Sequence, residues 1–227
     1  SGVRFHMQHR WLGWARHNSP DALCFATPSG ERFVNADAVV LALGGGSWPR
    51  LGSDAAWVPV LQEQSVNIAP LKPANCGFDV GWSEHFRSRF AGVPVKPVAI
   101  ALTDSSGNVE RKQGEFVVTE TGVEGSLIYA LSARLRNAIE ENGSAIMHLD
   151  LAPGRSQDRL AADLSMQRGS RSLSNHLRAR AGMAGVKAGL LREFASAETL
   201  ADPVAVAAMI KALPVRLIRP RPLDEAI

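Results

Sequence analysis

The stretch AVVLALGGGSWPRLGSD, residues 38–54, decides how the first part of this chain is interpreted. Its first six residues are all apolar, which is typical of a strand covered on both faces by the rest of a fold. Three consecutive glycines, Gly44, Gly45 and Gly46, follow at once and leave the backbone bare. The stretch therefore predicts a buried strand that ends in a glycine turn.

This glycine turn has two interpretations. Without a Cβ in the way, the backbone can come into contact with a bulky ligand, and free N–H groups in such a turn suit a phosphate. The simpler interpretation is a tight turn after a core strand, and the stretch by itself leaves both open. Neither GxGxxG after a predicted strand nor GxxxxGKS/T occurs in the sequence, so both fingerprints of stand-alone nucleotide binding are absent.

The residues before this stretch predict a β-meander. Apolar and polar residues alternate over residues 3–7, with the two-residue period of a half-buried strand. After a turn predicted near residues 18–20, an apolar segment at residues 22–27 predicts a second strand. The sequence Pro28-Ser29-Gly30 supplies the turn chemistry of a hairpin, with residues 32–35 as the returning strand.

The middle of the chain predicts a small sheet with two helices. The predicted strands are residues 93–102, 109–118 and 145–151, with a polar turn at residues 104–108 between the first two. The predicted helices are residues 83–90 and 125–141, the second with Leu127, Leu131, Leu135 and Ile139 on one stripe.

Beyond Pro153 the composition favours helices, because Ala, Leu, Arg and Ser dominate up to residue 213. The predicted helices are residues 156–167, 171–181, 186–195 and 203–212, followed by a strand at residues 214–219. Asp202 before Pro203 is a typical start signal, an N-cap acid followed by proline at the first helical position.

The arginines of this helical part have two interpretations. They could form a surface for an anionic partner, or a solvated helix face interleaved with Asp163 and Glu193. No aromatic residues are interleaved with them for base stacking, which weighs against nucleic acid. The arginines concerned are Arg168, Arg171, Arg178, Arg180 and Arg192.

Length and composition are those of an ordinary folded protein. The 227 residues are 45% hydrophobic and 21% charged, and the net charge of +3 is spread along the chain. No apolar run approaches the ~20 residues of a membrane span, and the N-terminus has no apolar signal core. Cys24 and Cys76 stand in no CxxC motif, so we expect two reduced, buried thiols rather than a disulfide, and a cytoplasmic location.

The sequence assigns no catalytic side chain and no metal site. The six histidines form no HxxxH motif and have no cysteine neighbours. His148 and Asp150 face the same way on one predicted strand, but no serine or cysteine in a nucleophile motif accompanies them. The nearest candidate is the loop at residues 119–126, whose glycines and helix start could meet an anion or form an ordinary turn.

Residues 38–54 resemble the second FAD-binding motif of the BaiN/YhiN-like bacterial flavoproteins, in which a strand ends in Ala-Thr-Gly-Gly and is followed by Ser, Pro and Gly-Ser. Further segments along the whole chain are similar to that family in the same order. They are residues 2–11, residues 114–119 with Gly122, Gly125 and Ser132, residues 148–153 and residues 222–226.

Together with the predicted elements, the resemblance implies an α+β fold in three parts. Residues 1–67 would be an incomplete FAD-domain β-meander with its buried strand, residues 68–155 and 213–222 a β-barrel-like insert, and residues 156–212 a helical insert subdomain. Carried over by position, Gly44, Gly45 and Gly46 would pass close to the flavin nucleotide of FAD. The strand around Arg10 and Trp11 would offer backbone atoms to the adenine.

The resemblance also implies the function: the middle portion of an FAD-dependent oxidoreductase, linked to NAD(P)H and acting on a small-molecule substrate. The family's N-terminal GxGxxG segment and its C-terminal FAD segment are missing from the sequence, so we expect weak or absent FAD binding and no activity of this piece alone. The alternative is a non-enzymatic module that binds an anionic partner such as RNA, in which case binding would depend steeply on salt.

Four positions depart from the family pattern. Leu43 replaces the usual Thr of the Ala-Thr-Gly string, and Ala55 stands where these proteins often have Gly. Glu124 and Ser126 stand where the wider family often has Ser and Pro. The first two departures lie in the segment expected to contact the flavin nucleotide.

Overall fold

The computed structural model describes residues 2–15, 22–103 and 107–227. The turn predicted at residues 18–20 lies outside these ranges, as does most of the turn predicted at residues 104–108. The chain divides into two compact units, Ser1–Lys72 and Pro73–Ile227. Helices and antiparallel strands occur together, which confirms the α+β class.

The N-terminal unit is built on a three-stranded antiparallel sheet in the order β1-β2-β3. Its strands are β1 (Arg10–Trp14), β2 (Leu23–Thr27) and β3 (Gly30–Val34). β2 and β3 form the predicted hairpin, in which Thr27 pairs with Gly30. A 3-10 turn at Pro49–Leu51 and one short helix, α1 (Trp57–Gln62), complete this unit.

Two strand predictions in this unit are wrong. Residues 38–43 form no strand, and Val40 is 89% exposed. Residues 3–7 lie before β1, with Phe5 83% exposed. A central strand needs a hydrogen-bonded neighbour on each side, and the described residues offer no strand that pairs with either segment.

The C-terminal unit contains a seven-stranded antiparallel sheet in the order β10-β4-β7-β6-β5-β8-β9. Its strands are β4 (Phe78–Asp79), β5 (Pro94–Thr103), β6 (Val109–Val118), β7 (Gly122–Glu124), β8 (Ala145–Asp150), β9 (Leu213–Leu217) and β10 (Arg219–Pro220). We expected a barrel-like form, but the sheet is not a closed barrel. The strands β9 and β10 lie at its two ends and do not pair with each other. They are nevertheless consecutive in the chain, with Ile218 between them.

The helices of this unit begin largely where the sequence predicts. They are α2 (Glu84–Phe90), α3 (Ser126–Tyr129), α4 (Ser132–Asn142), α5 (Gln157–Leu164), α6 (Leu173–Ala181), α7 (Gly185–Phe194), α8 (Ala197–Ala201) and α9 (Pro203–Lys211). Asp202 Oδ1 accepts a hydrogen bond from Val204 N at 2.9 Å, which confirms the predicted N-cap. The predicted helix at residues 125–141 is instead two helices, α3 and α4, although its leucine stripe is buried.

The large hydrophobic core belongs to the C-terminal unit. Side chains from the sheet, such as Ile100, Phe116 and Leu149, are at most 1% exposed and share one cluster with helix residues such as Leu160 and Leu190. Apolar side chains alternate along β9, whose odd-numbered residues are buried. This unit therefore has the continuous core that a fold of its size requires.

A charged network joins the helices to the sheet. Asp150 Oδ2 at the end of β8 accepts hydrogen bonds from Lys211 Nζ at 2.6 Å and Arg111 Nη2 at 2.8 Å. Lys187 Nζ donates to the carbonyl oxygens of Pro97 at 2.6 Å and Leu151 at 2.7 Å. Burial lowers the pKa of Lys187, and the nearby carboxylate of Asp150 partly opposes that shift.

Both cysteines are buried and free, as predicted. Burial raises the pKa of the Cys76 thiol, against the smaller opposing effects of Arg136 and a backbone hydrogen bond. Within the described ranges no helix has the length and apolarity that crossing a bilayer requires.

Candidate functional site

β1 carries a bulge at the point where the candidate cofactor residues lie. Its pairing with β2 shifts register between Trp11 and Gly13. Gly13 has φ +112°, and an added Cβ would lie 2.9 Å from Val60 Cγ1 of α1. Glycine at this position therefore allows α1 to pack closely against β1, and the bulge changes the direction in which the neighbouring side chains point.

The glycine turn is held in a compact loop by backbone hydrogen bonds. Trp48 and Ser53 bond to each other twice, N to O, at 3.1 and 3.0 Å. Ala55 N donates to Gly45 O at 3.0 Å, and Trp57 Nε1 donates to Gly44 O at 3.2 Å. The turn and the start of α1 are thus one connected structure.

A cleft of about 490 Å³ opens between β1, this loop and α1. Its aromatic and charged lining consists of Arg10 and Trp11 from β1, Asp54 from the loop and Trp57 from α1. Leu43, immediately before the three glycines, also lines it. The structure therefore brings together Arg10, Trp11 and the residue preceding the glycine turn, whereas Gly44, Gly45 and Gly46 themselves do not line the cleft.

This cleft offers aromatic and charged groups to a flat molecule. The indole rings of Trp11 and Trp57 offer faces on which a planar ring can stack, and the Arg10 guanidinium can pair with a phosphate. Trp11 Nε1 is buried and has no hydrogen-bond partner among the described residues. Asp54 is already engaged, since its Oδ1 accepts from Ala56 N at 3.0 Å.

The three glycines have different structural requirements. Gly44 has φ +74°, a conformation that side-chain-bearing residues adopt only with strain. An added Cβ at Gly45 would meet nothing closer than Ser53 Oγ at 3.5 Å, which is ordinary contact. The fold of this unit therefore requires glycine at position 44 and tolerates a side chain at position 45.

Ala55 has φ +56°, in the left-handed region that favours glycine. This is the position at which the BaiN/YhiN-like proteins often have Gly, so the departure seen in the sequence corresponds to a strained backbone. The strain is of order 1 kcal/mol.

Sequence reasoning missed Asp54, Trp57 and Val60 as cleft residues. They lie on α1 and on the loop before it. One signal was available, because four of the five tryptophans fall within residues 1–72.

The segment predicted as a loop at residues 119–126, in the C-terminal unit, contains the short strand β7 and leads into α3. Thr119 Oγ1 accepts a hydrogen bond from Gly122 N at 2.9 Å. A Cβ at Gly122 would lie 1.8 Å from Phe78 O, so glycine there serves the close pairing of β7 with β4. The glycine at position 125 has φ +112° before α3, which is only four residues long.

His148 and Asp150 form no catalytic pair. Asp150 is engaged in the buried network with Lys211 and Arg111. Among the described residues no group of three or more His, Cys, Asp or Glu side chains is placed to hold a metal ion.

Two comparisons with known proteins bear on these sites. A family model described as "HI0933-like protein barrel and H2TH domain" matches residues 72–227. A 3-dehydro-bile acid delta(4,6)-reductase of Clostridium scindens is 27% identical over 124 residues, which are 55% of this chain and 29% of that protein. The chain thus spans less than a third of the length of this relative.

Proposed function

Because the chain belongs to the HI0933-like family, the flavoprotein family that its motifs resemble, we propose that it is the middle portion of an FAD-dependent oxidoreductase. The observation that carries the proposal is the cleft of the N-terminal unit, where Arg10 and Trp11 lie beside the residue that precedes the glycine turn. The similarity to a reductase supports the proposed activity. The reductase is about three times as long as the aligned region, which supports the proposal that this chain is a portion of a longer protein.

Each candidate residue has a distinct role in this proposal. Trp11 and Trp57 stack on a ring of the cofactor, and Arg10 pairs with its phosphate. By the family resemblance, the backbone of Gly45 and Gly46 passes close to the nucleotide, although these glycines are not among the residues that line the cleft. Gly44 holds the turn in its left-handed conformation, so that its carbonyl accepts from Trp57 Nε1.

Bound FAD would supply the electron transfer, as flavins do in other oxidoreductases. We propose NAD(P)H as the reductant and a small molecule as the substrate, and a cytoplasmic location. The relative from Clostridium scindens acts on a 3-dehydro-bile acid by its name, which supports a small-molecule substrate class. No side chain of this chain is assigned a proton-transfer step.

The test is a titration of the purified chain with FAD, in which binding is monitored through the fluorescence of the flavin and of the tryptophans. We expect weak, saturable binding. Gly45→Ala should weaken it about tenfold, because the added methyl group occupies space that the nucleotide needs. The fold accepts this substitution, since the new Cβ makes only an ordinary contact with Ser53 Oγ.

Gly154→Ala is the matched control. Gly154 lies in the C-terminal unit, and an added Cβ there meets nothing within 4 Å. It should leave FAD binding unchanged. Saturable binding that Gly45→Ala and Trp11→Ala both leave intact would refute the assigned site. No binding even by a longer chain that includes the family's GxGxxG and C-terminal FAD segments would remove the support for a cofactor role of this cleft.

A further inference from the structure

A second cleft, of about 320 Å³, lies between α2, α6 and α7 in the C-terminal unit. Its apolar lining includes Phe86 and Met183, which are almost fully buried, and the half-buried Phe90. A Cβ at Gly189 would lie 2.4 Å from Phe90 Cε2, so glycine at this position lets the phenyl ring lie directly against α7. The volume is at the lower end of the range for small-molecule sites, about 300–1,000 Å³.

Three exposed arginines line this apolar cleft, one from each helix. They are Arg89 of α2, Arg178 of α6 and Arg192 of α7. Within the part of the chain that the structure describes, none of the three forms an ion pair with a carboxylate. Arg192 Nη2 donates to Ser174 Oγ at 2.5 Å, and the Arg89 guanidinium lies 5.6 Å from the Phe90 ring centroid.

The arginines elsewhere in this unit are mostly paired. The pairs are Arg87 with Glu84, Arg111 with Asp150, Arg134 with Glu110, Arg155 and Arg159 with Asp163, and Arg219 and Arg221 with Asp79. Three unneutralised cations around one concave surface repel one another and favour an anion between them. Other described arginines of this unit, such as Arg168 and Arg171, also form no ion pair, but this cleft gathers three such arginines around one apolar concave surface.

The acids that the sequence places among these arginines do not neutralise the cleft. Asp163 pairs with Arg155 and Arg159. Glu193 lines the cleft, but its carboxylate accepts hydrogen bonds from Ser83 N at 2.5 Å and Ser83 Oγ at 2.8 Å, at the start of α2. Both donors are neutral, so Glu193 keeps its negative charge, and the lining holds three arginines against one carboxylate, a net excess of positive charge.

We propose that this cleft binds a small molecule that carries a carboxylate or phosphate group on a flat, apolar body. Guanidinium groups bind both anions through paired hydrogen bonds, and the apolar side chains that line the cleft can contact the apolar body. The polar side chains of Ser174 and Asn175, in the first turn of α6, add further hydrogen-bonding groups. The site lies wholly within Pro73–Ile227 and is independent of the proposed FAD role.

The experiment is calorimetric titration of the full chain at low salt with benzoate and phenyl phosphate, and with benzyl alcohol as the neutral probe. We expect both anions to bind with one site per chain and benzyl alcohol to bind at least about tenfold more weakly, because it lacks the charge-assisted hydrogen bonds. Comparison of benzoate with phenyl phosphate identifies which anion the site prefers.

Arg178→Gln and Arg192→Gln should each weaken anion binding about tenfold. Arg171→Gln is the matched control, since it removes the same charge from an exposed arginine that does not line the cleft. It should change the affinity by less than about twofold, as expected for an exposed charge outside the contact. The melting temperature of each variant, compared with that of the parent chain, separates lost binding from lost folding.

Three outcomes would overturn the proposal. The first is that neither anion binds at low salt. The second is that Arg171→Gln weakens binding as much as the two cleft variants, which would indicate non-specific attraction to a basic surface. The third is binding of RNA with the steep salt dependence of several phosphate contacts while the small anions fail to bind. FAD binding by the N-terminal unit does not affect any of these readouts.

Discussion

The two units of this chain differ in how much of their apolar surface is buried. In Pro73–Ile227, one core cluster joins all layers of the sheet and helices. In the described part of Ser1–Lys72, the buried hydrophobic residues are Ala22, Leu23 and Cys24, while Val40, Phe5 and Trp48 are exposed. The C-terminal unit thus buries its apolar side chains in a core of its own, whereas the N-terminal unit has apolar surface that its own residues do not cover.

A cofactor or further structure that binds the N-terminal unit would have to cover this exposed apolar surface. The residues that a flavoprotein of this family is expected to use lie in the unit with the smaller core. Ligands that bind only the folded form stabilise it by mass action. We therefore expect the N-terminal unit to depend on its ligand for stability and the C-terminal unit to be stable alone.

The largest expected effect is a core truncation in the C-terminal unit. Leu149→Ala on β8, where Leu149 is 0% exposed, should lower the free energy of unfolding by about 3 kcal/mol. Val40→Ala in the N-terminal unit should change it by less than about 0.5 kcal/mol. Denaturant unfolding monitored by circular dichroism measures both effects. Equal effects of the two substitutions would contradict the claim that the two units differ in how much apolar surface they bury.

Removal of Lys211 should have the next largest effect. Lys211 Nζ donates to Asp150 Oδ2 and to the carbonyls of Ala152 and Arg155, so Lys211→Met leaves a buried carboxylate with fewer partners. We expect a loss of about 2 kcal/mol, because Arg111 remains paired with Asp150. Arg216→Met, at an exposed position of β9, is the control and should be nearly neutral in the same unfolding experiment. A loss as large in the control would mean that the network contributes nothing specific.

Smaller effects are expected from the backbone of the glycine turn. Gly44→Ala should destabilise the N-terminal unit by about 1 kcal/mol, and Ala55→Gly should stabilise it by up to about 1 kcal/mol, since both residues have positive φ. Gly45→Ala should be neutral in the absence of FAD. Tryptophan fluorescence during unfolding reports mainly on this unit, because four of the five tryptophans lie in it. The same change from all three variants would contradict the assigned conformations.

The smallest predicted effect concerns acid stability of the C-terminal unit. Burial by itself would raise the pKa of Asp79, but hydrogen bonds from Arg219 and Arg221 outweigh it and hold the pKa below its usual value. In the unfolded chain the pKa of an aspartate is about 3.9. Because the folded-state pKa of Asp79 is lower, its carboxylate stabilises the fold fully at pH values above about 3.9, and this stabilisation is lost as the pH falls through the folded-state pKa. Unfolding midpoints measured from neutral to acidic pH should therefore decline more steeply for the parent chain than for Asp79→Asn. Asp158→Asn, at an exposed acid, should follow the parent chain.

Elements whose signals are local could be predicted from the sequence. The strand β6 matches residues 109–118, and the N-cap of α9 lies at Asp202 as predicted. Residues 38–43 show the limit, because their apolar run has strand propensity but a strand forms only with neighbours to pair with. The break between α3 and α4 was also missed, since the leucine stripe continues through Ala130 and Leu131 without interruption.

The sites could be predicted only in part. Arg10 and Trp11 followed from the family resemblance, whereas the part played by Trp57 depends on how α1 packs against the bulge at Gly13. The basic cleft brings Arg89 together with two arginines about ninety residues later in the chain. Contacts of that kind depend on the tertiary fold, which helical spacing within one segment does not reveal.

The most direct test of the central claim is hydrogen exchange of the whole chain with and without FAD. Without FAD, we predict fast exchange throughout the N-terminal unit and slow exchange in β5, β6 and β8. With FAD, protection should rise in β1 and in residues 43–60 and stay unchanged in Pro73–Ile227. Protection that rises only in the C-terminal unit, or a chain whose two units exchange equally slowly without FAD, would contradict the account.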